Sequence, residues 1–137
     1  MSAKLHEAFV RAVMTNAEVI PEFFEEHLPD KLCAEVQMDS IRLVEEAFQH
    51  DFPHESTIEF VYQAEWVDHQ GHLYFIVLFL RQRDWLVPYR IEKFVHSVID
   101  YDLRTQNTQT IPFVLPIVLT SKRETESQGE LMPRILH

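Results

Sequence analysis

Residues 58–85 read IEFVYQAEWVDHQGHLYFIVLFLRQRDW. The first part alternates. Ile58, Phe60, Tyr62, Ala64 and Trp66 fall on one side, and Glu59, Gln63 and Glu65 on the other. A period of two predicts a half-buried strand over 58–67. Asp68-His69-Gln70-Gly71 has the chemistry of a turn. Leu73 to Leu80 is continuously apolar and rich in aromatic and β-branched residues, as expected of a strand covered on both faces. Together the two segments predict a hairpin.

On the N-terminal side, residues 3–14 predict a helix whose apolar stripe is Leu5, Ala8, Phe9, Ala12 and Val13. A second helix is expected over about 17–27, with Asn16 before it and Pro21 in its first turns, where proline is best tolerated. Leu28-Pro29-Asp30 ends it, and a short helical turn follows through Cys33. Asp39-Ser40 marks a break. Ile41 to Phe48 fits either a helix or a strand, and 50–57 reads as a loop. On the C-terminal side, Arg81 to Trp85 is a polar break, and Pro88 opens a helix that runs to about Leu103. Its apolar face is Ile91, Phe94, Val95, Val98, Ile99 and Leu103. Ile111 to Thr120 is an apolar strand holding Pro112 and Pro116, which places it at an edge or makes it irregular. The sum is an α/β domain, a mixed sheet flanked by helices, over 1–121, with 122–137 as a flexible tail.

Composition narrows the function classes. The chain has 137 residues, 46% of them hydrophobic, as in one ordinary globular domain. With only Gly71 and Gly129, neither a dinucleotide fingerprint nor a Walker loop can be written. A single cysteine, Cys33, excludes an internal disulfide and reads as a buried structural thiol. The net charge of -10 argues against a generally basic nucleic-acid coat and equally serves solubility. No segment reaches the roughly 20 apolar residues a membrane span needs. With no signal-peptide layout at the start, a soluble cytoplasmic protein is expected.

Eight histidines are scattered, and no pair has metal-ligand spacing on a firm helix. The carboxylate that stands out is Glu59, on the polar side of the first hairpin strand and opposite a strand that ends in Leu80-Arg81-Gln82. Nucleases that use Mg²⁺ want a carboxylate on one strand. They also want a carboxylate and a proton-handling group two residues apart at the end of the next, so that alternation turns all three to one metal. Glu59 supplies the first of these, and Leu80 stands at the second. Arg81, Arg83, Arg90 and Lys93 cluster beside the same junction and could meet phosphates, with Trp85 among them to stack on a base or cover the core.

Several segments, in this order, resemble a known family. They are His6-Glu7-Ala8-Phe9, Asn16-Ala17-Glu18-Val19, Phe23-Phe24-Glu25-Glu26-His27-Leu28-Pro29, Met38-Asp39-Ser40-Ile41-Arg42-Leu43-Val44, Glu59-Phe60-Val61-Tyr62, Leu73 to Gln82, Pro88-Tyr89-Arg90 and Ile111 to Leu119. The chain resembles the putative-transposase, recombination-promoting nuclease family of the PD-(D/E)XK superfamily, over about residues 5–121.

The resemblance implies a restriction-endonuclease-like sheet, with its first strand over Ile41 to Phe48. It implies catalytic positions at Glu59, Gln82 and Glu7, with Glu59 as metal ligand and Mg²⁺ as cofactor if the site is active. The family's central glutamate falls on Leu80, and Asp84 or Glu65 are the nearby carboxylates that could replace it. The implied function is a DNA endonuclease domain that is degenerate and non-cleaving, kept as a DNA- or protein-interaction module. The alternative is an active Mg²⁺-dependent endonuclease using Glu59 and a relocated carboxylate. The apolar last strand also leads to an expected homodimer.

Overall fold

The computed structural model describes residues 3–44, 57–81, 83–106 and 109–120. Among these residues four strands form one mixed sheet: β1 (Val36–Leu43), β2 (Thr57–Trp66), β3 (His72–Leu80) and β4 (Phe113–Leu119), in that spatial order. The helices are α1 (Ala3–Met14), α2 (Ile20–His27), α3 (Asp30–Glu35) and α4 (Val87–Thr105). The expected hairpin is there, with β2 and β3 antiparallel in an unbroken register from Thr57–Leu80 to Glu65–His72. Its turn contains Gly71 at φ +93°, a backbone conformation glycine adopts without strain. β3 and β4 are parallel, so α4 is the crossover between them.

Alternation along β3 divides the core in two. Leu73, Phe75 and Val77 join Phe60, Tyr62, Phe24, Val10 and Met14 on the side of α1 and α2. Tyr74, Ile76, Leu78 and Leu80 join Val61, Val87, Ile91, Phe94 and Val98 on the side of α4. β3 is therefore covered on both faces, as its unbroken apolar run predicts. β2 is too, which corrects the half-buried reading: α4 lies over the side that carries Glu59 and Gln63, and Gln63 is buried.

Two further expectations are corrected. The first strand starts at Val36, not Ile41, and Asp39-Ser40 lies inside it. Ser40 Oγ donates to the Gln37 carbonyl at 2.6 Å and accepts from the Glu65 N–H at 2.9 Å, bridging a register shift between Gln37 and Arg42. What reads in sequence as a break is a bulge whose freed backbone groups a serine satisfies. The part of the Ile41 to Phe48 reading beyond Val44 lies outside the described residues, as does the 122–137 tail.

The second correction concerns α1. Phe9 is 68% exposed, and the residues turned to the sheet are Val10 and Met14, with Glu7 and Arg11 on the same side. These four stand at i, i+3, i+4 and i+7, a second helical stripe that its charged members hide from a hydrophobicity reading. Likewise the inward stripe of α4 is Val87, Ile91, Phe94, Val98 and Asp102, while Leu103 is exposed.

β4 is an edge strand, in keeping with Pro116 inside it and Pro112 just before it. Among its residues only Ile117 is buried, and Phe113 is 42% exposed.

Candidate functional site

Glu59 lies near the start of β2, on the α4 side of the sheet, with Leu78 as its cross-strand partner. Leu80 is the partner of Thr57 and is 6% exposed within the α4-side apolar cluster. Period-two alternation therefore places Thr57, Glu59, Leu78 and Leu80 on one patch of the sheet. Thr57 Oγ1 donates to Glu59 Oε2 at 2.8 Å.

α1 brings Glu7 and Arg11 to this end of the sheet, and the end of β3 brings Arg81. Glu7 accepts from Arg11 Nε at 3.0 Å on one oxygen and from Arg81 Nη1 at 2.9 Å on the other. The Arg11 guanidinium also lies 5.6 Å from the centre of the Phe60 ring. Both oxygens of Glu7 are thus engaged by guanidinium groups. Of the three catalytic positions expected from sequence, Glu7 and Glu59 lie at the same end of the sheet but on opposite faces, near enough for Glu7 to be felt electrostatically at Glu59 and without a hydrogen bond between them among the described residues. Gln82 lies outside the described residues.

Burial pushes the Glu59 carboxyl up from the usual 4.5 to about 7. The Thr57 hydrogen bond and the Arg11 and Arg81 guanidiniums pull it back, and the Glu7 carboxylate adds to the rise. Ionisation of Glu59 is thus moved up towards neutral pH.

A Mg²⁺ ion wants near-octahedral oxygen coordination, with one or two carboxylates free to bind it. Here Leu80 offers no donor, Glu7 is held by two arginines, and Glu59, its ionisation moved up towards neutral pH, is bonded to Thr57. Among the described residues no three His, Cys, Asp or Glu side chains converge on a point that could hold a metal. The described residues do not fit the ion. The carboxylates that could have moved in are engaged or distant. Asp84 accepts from the Leu86 N–H at 3.0 Å and from Arg90 Nε at 3.1 Å. Glu65 is six residues along β2 from Glu59, roughly 20 Å at strand rise.

Two of the four expected phosphate-contacting cations are committed within the protein: Arg81 to Glu7 and Arg90 to Asp84. Arg83 and Lys93 are exposed and form no ion pair among the described residues. Trp85 covers no core, being 87% exposed.

A family model for putative transposases, YhgA-like, matches residues 4–127. The chain belongs to this family. No curated protein and no solved structure matches it significantly. The match spans α1 to β4, so the Glu59 patch and the Trp85 turn are both parts of the YhgA-like domain.

Two participants in this site, and a polar chain beside it, escaped the sequence reading. Arg11 stands four residues from Glu7 and was legible as a helical ion pair. Thr57 stands two residues from Glu59 and was legible once the strand began one residue earlier. A buried polar chain on the same side of the sheet was not legible. It runs from Arg42 to Gln63, from Gln63 to the Tyr74 hydroxyl, and from there to Asp102.

A buried carboxyl held near 7 weakens the fold when it ionises. Below about pH 4.5 Glu59 is neutral both folded and unfolded and costs nothing. As pH rises to about 7 the unfolded chain ionises first, and the penalty grows to its full value above that. The shift corresponds to about 3 kcal/mol, of which roughly 1–2 kcal/mol remains after screening at the site's partly exposed edge. Glu59→Gln keeps the acceptor for Thr57 and is expected to raise stability by about 1–2 kcal/mol at pH 8 and by nothing at pH 4.5. Urea unfolding at the two pH values measures it. Equal effects at both would show that ionisation of Glu59 is not the cause.

Proposed function

We propose that this YhgA-like chain is a non-cleaving relative of DNA endonucleases, which keeps the nuclease-like domain as a DNA-binding module. The observation that carries the reading is Leu80. It stands at the position where the resemblance expects the central metal carboxylate, and it is buried among Val61, Ile76, Leu78, Val87 and Ile91. The engagement of Glu7 by Arg11 and Arg81 supports it, because the charges that a metal would balance are already balanced by the protein. Arg83 and Lys93 are the cations left to meet phosphate. Among the described residues no helix is long and apolar enough to cross a membrane.

The test is calorimetric titration of Mg²⁺ and Mn²⁺ into wild type and Glu59→Ala, with plasmid nicking on the same samples. Neither protein is expected to show saturable metal binding or nicking. Saturable binding and nicking that both vanish in Glu59→Ala would establish instead an active endonuclease with a relocated ligand. Light scattering of the wild-type sample at micromolar concentration is expected to give a dimer, formed through the exposed apolar edge of β4. A monomer there would remove that part of the reading.

A further inference from the structure

The turn before α4 and the first turn of α4 each carry a large aromatic ring in solvent. Trp85 is 87% exposed and Tyr89 57% exposed. Leaving an indole in water forgoes roughly 3 kcal/mol of available burial. The turn that displays it is nonetheless well built. Asp84 accepts from the Leu86 N–H and from Arg90 Nε, and its carbonyl accepts from the Val87 N–H at 3.1 Å. Asp84 therefore closes the backbone turn on either side of Trp85, whose ring stands in solvent. Lys93 lies over the Tyr89 ring, 5.5 Å from its centre, and fixes a cation beside the second aromatic. Arg83 stands two residues before Trp85 and is exposed.

We propose that Arg83, Trp85, Tyr89 and Lys93 form a platform for single-stranded nucleic acid, with an unpaired base stacked on Trp85. The proposal deepens the non-cleaving reading by naming the nucleic acid that the module holds. The charge count selects the single strand. A chain of net charge -10 with, at this surface, Arg83 and Lys93 as the exposed cations in no ion pair among the described residues has little to neutralise a duplex backbone. Stacking on an aromatic face contributes about 1–3 kcal/mol per base. An unpaired base has a free face, whereas a base within a duplex is already stacked on both sides. The two cations then hold the phosphates that flank the stacked base.

The chain has two tryptophans, so Trp66→Phe leaves Trp85 as the reporter. Its fluorescence is titrated in EDTA and low salt with a 12-nucleotide oligothymidine. The comparison ligands are a duplex of the same length and a 12-residue glutamate-rich peptide without aromatics. The expected result is saturable quenching by oligothymidine, with at least tenfold weaker binding of the duplex and the peptide. Raising salt from 20 to 200 mM weakens binding about 25-fold, the slope for two phosphate contacts to a single strand. In the native background, anisotropy of a labelled oligothymidine reports at least a tenfold loss on Trp85→Ala, a substitution at a solvent-exposed ring that leaves the core intact.

No quenching, or equal quenching by duplex or peptide, overturns the proposal. Binding in EDTA is read without any metal, so its failure leaves the non-cleaving reading standing. Mg²⁺-dependent nicking would remove that reading without changing this titration.

Discussion

Leu80→Glu, which writes the family's expected carboxylate back into the chain, is expected to destabilise the protein by about 4 kcal/mol at pH 8 and not to create a metal site. Leu80 is 6% exposed on the α4 side of the sheet, and its neighbours there are aliphatic. A glutamate at this position loses the apolar burial of leucine, about 2 kcal/mol, and must also place its carboxyl in a poor solvent for charge. Its folded pKa therefore lies above the unfolded value near 4.3. The ionisation part of the loss is absent below that value and grows as pH rises through it, so the variant should be nearly twice as damaged at pH 8 as at pH 4.5. For a chain of this size the full effect lowers Tm by roughly 12–15 °C. Adding 10 mM Mg²⁺ is expected to leave that Tm unchanged, because Glu7 remains between two arginines and the ionisation of Glu59 remains moved up towards neutral pH. Recovery of Tm with Mg²⁺ would mean that Leu80 alone separates this chain from a metal enzyme.

That variant shows why the site was only partly legible in the sequence. The hairpin was legible because alternation in β2 and the apolar run of β3 are local patterns. The edge position of β4 was legible from Pro112 and Pro116 in an otherwise apolar run. The inner side of α1 was not. Hydrophobicity favours the stripe with Ala8, Phe9 and Ala12, which are exposed, whereas the side turned to the sheet carries Glu7 and Arg11 beside Val10 and Met14. Those charges can face the sheet because each meets an opposite charge there, and the partner Arg81 is 74 residues away from Glu7. Compensation of that kind has no local signature. The bulge at Ser40 is a similar case, since the residues that read as a turn are held within a strand by a hydroxyl that reaches Glu65 on the neighbouring strand.

Asp102→Ala is the second large effect, about 3 kcal/mol, and it tests the least legible part of the molecule. Asp102 is 1% exposed at the end of the inward stripe of α4. Its Oδ1 accepts from the Tyr74 hydroxyl at 2.6 Å and lies 3.5 Å from His72 Nδ1. The Tyr74 oxygen accepts in turn from Gln63 Nε2 at 3.1 Å, and Gln63 accepts from Arg42. Burial, and then Asp102 itself, push ionisation of Tyr74 well above the usual tyrosine range, so the hydroxyl keeps its proton and donates it. Removing the carboxylate leaves that buried donor without its acceptor. Tyr74→Phe removes the donor and leaves the carboxylate to His72, at about 2 kcal/mol.

Because both substitutions break the shared Tyr74–Asp102 bond, their losses should not add, with a coupling of about 1.5–2 kcal/mol in urea unfolding. Additive losses would mean that the two groups act independently. The same variants separate scaffold from surface. Asp102 is 17 residues from Trp85, roughly 25 Å along α4 and the turn before it. Folded Asp102→Ala protein should therefore bind oligothymidine as wild type does. A matching loss of binding would show that the polar chain, rather than the Asp84 turn alone, sets the position of Trp85.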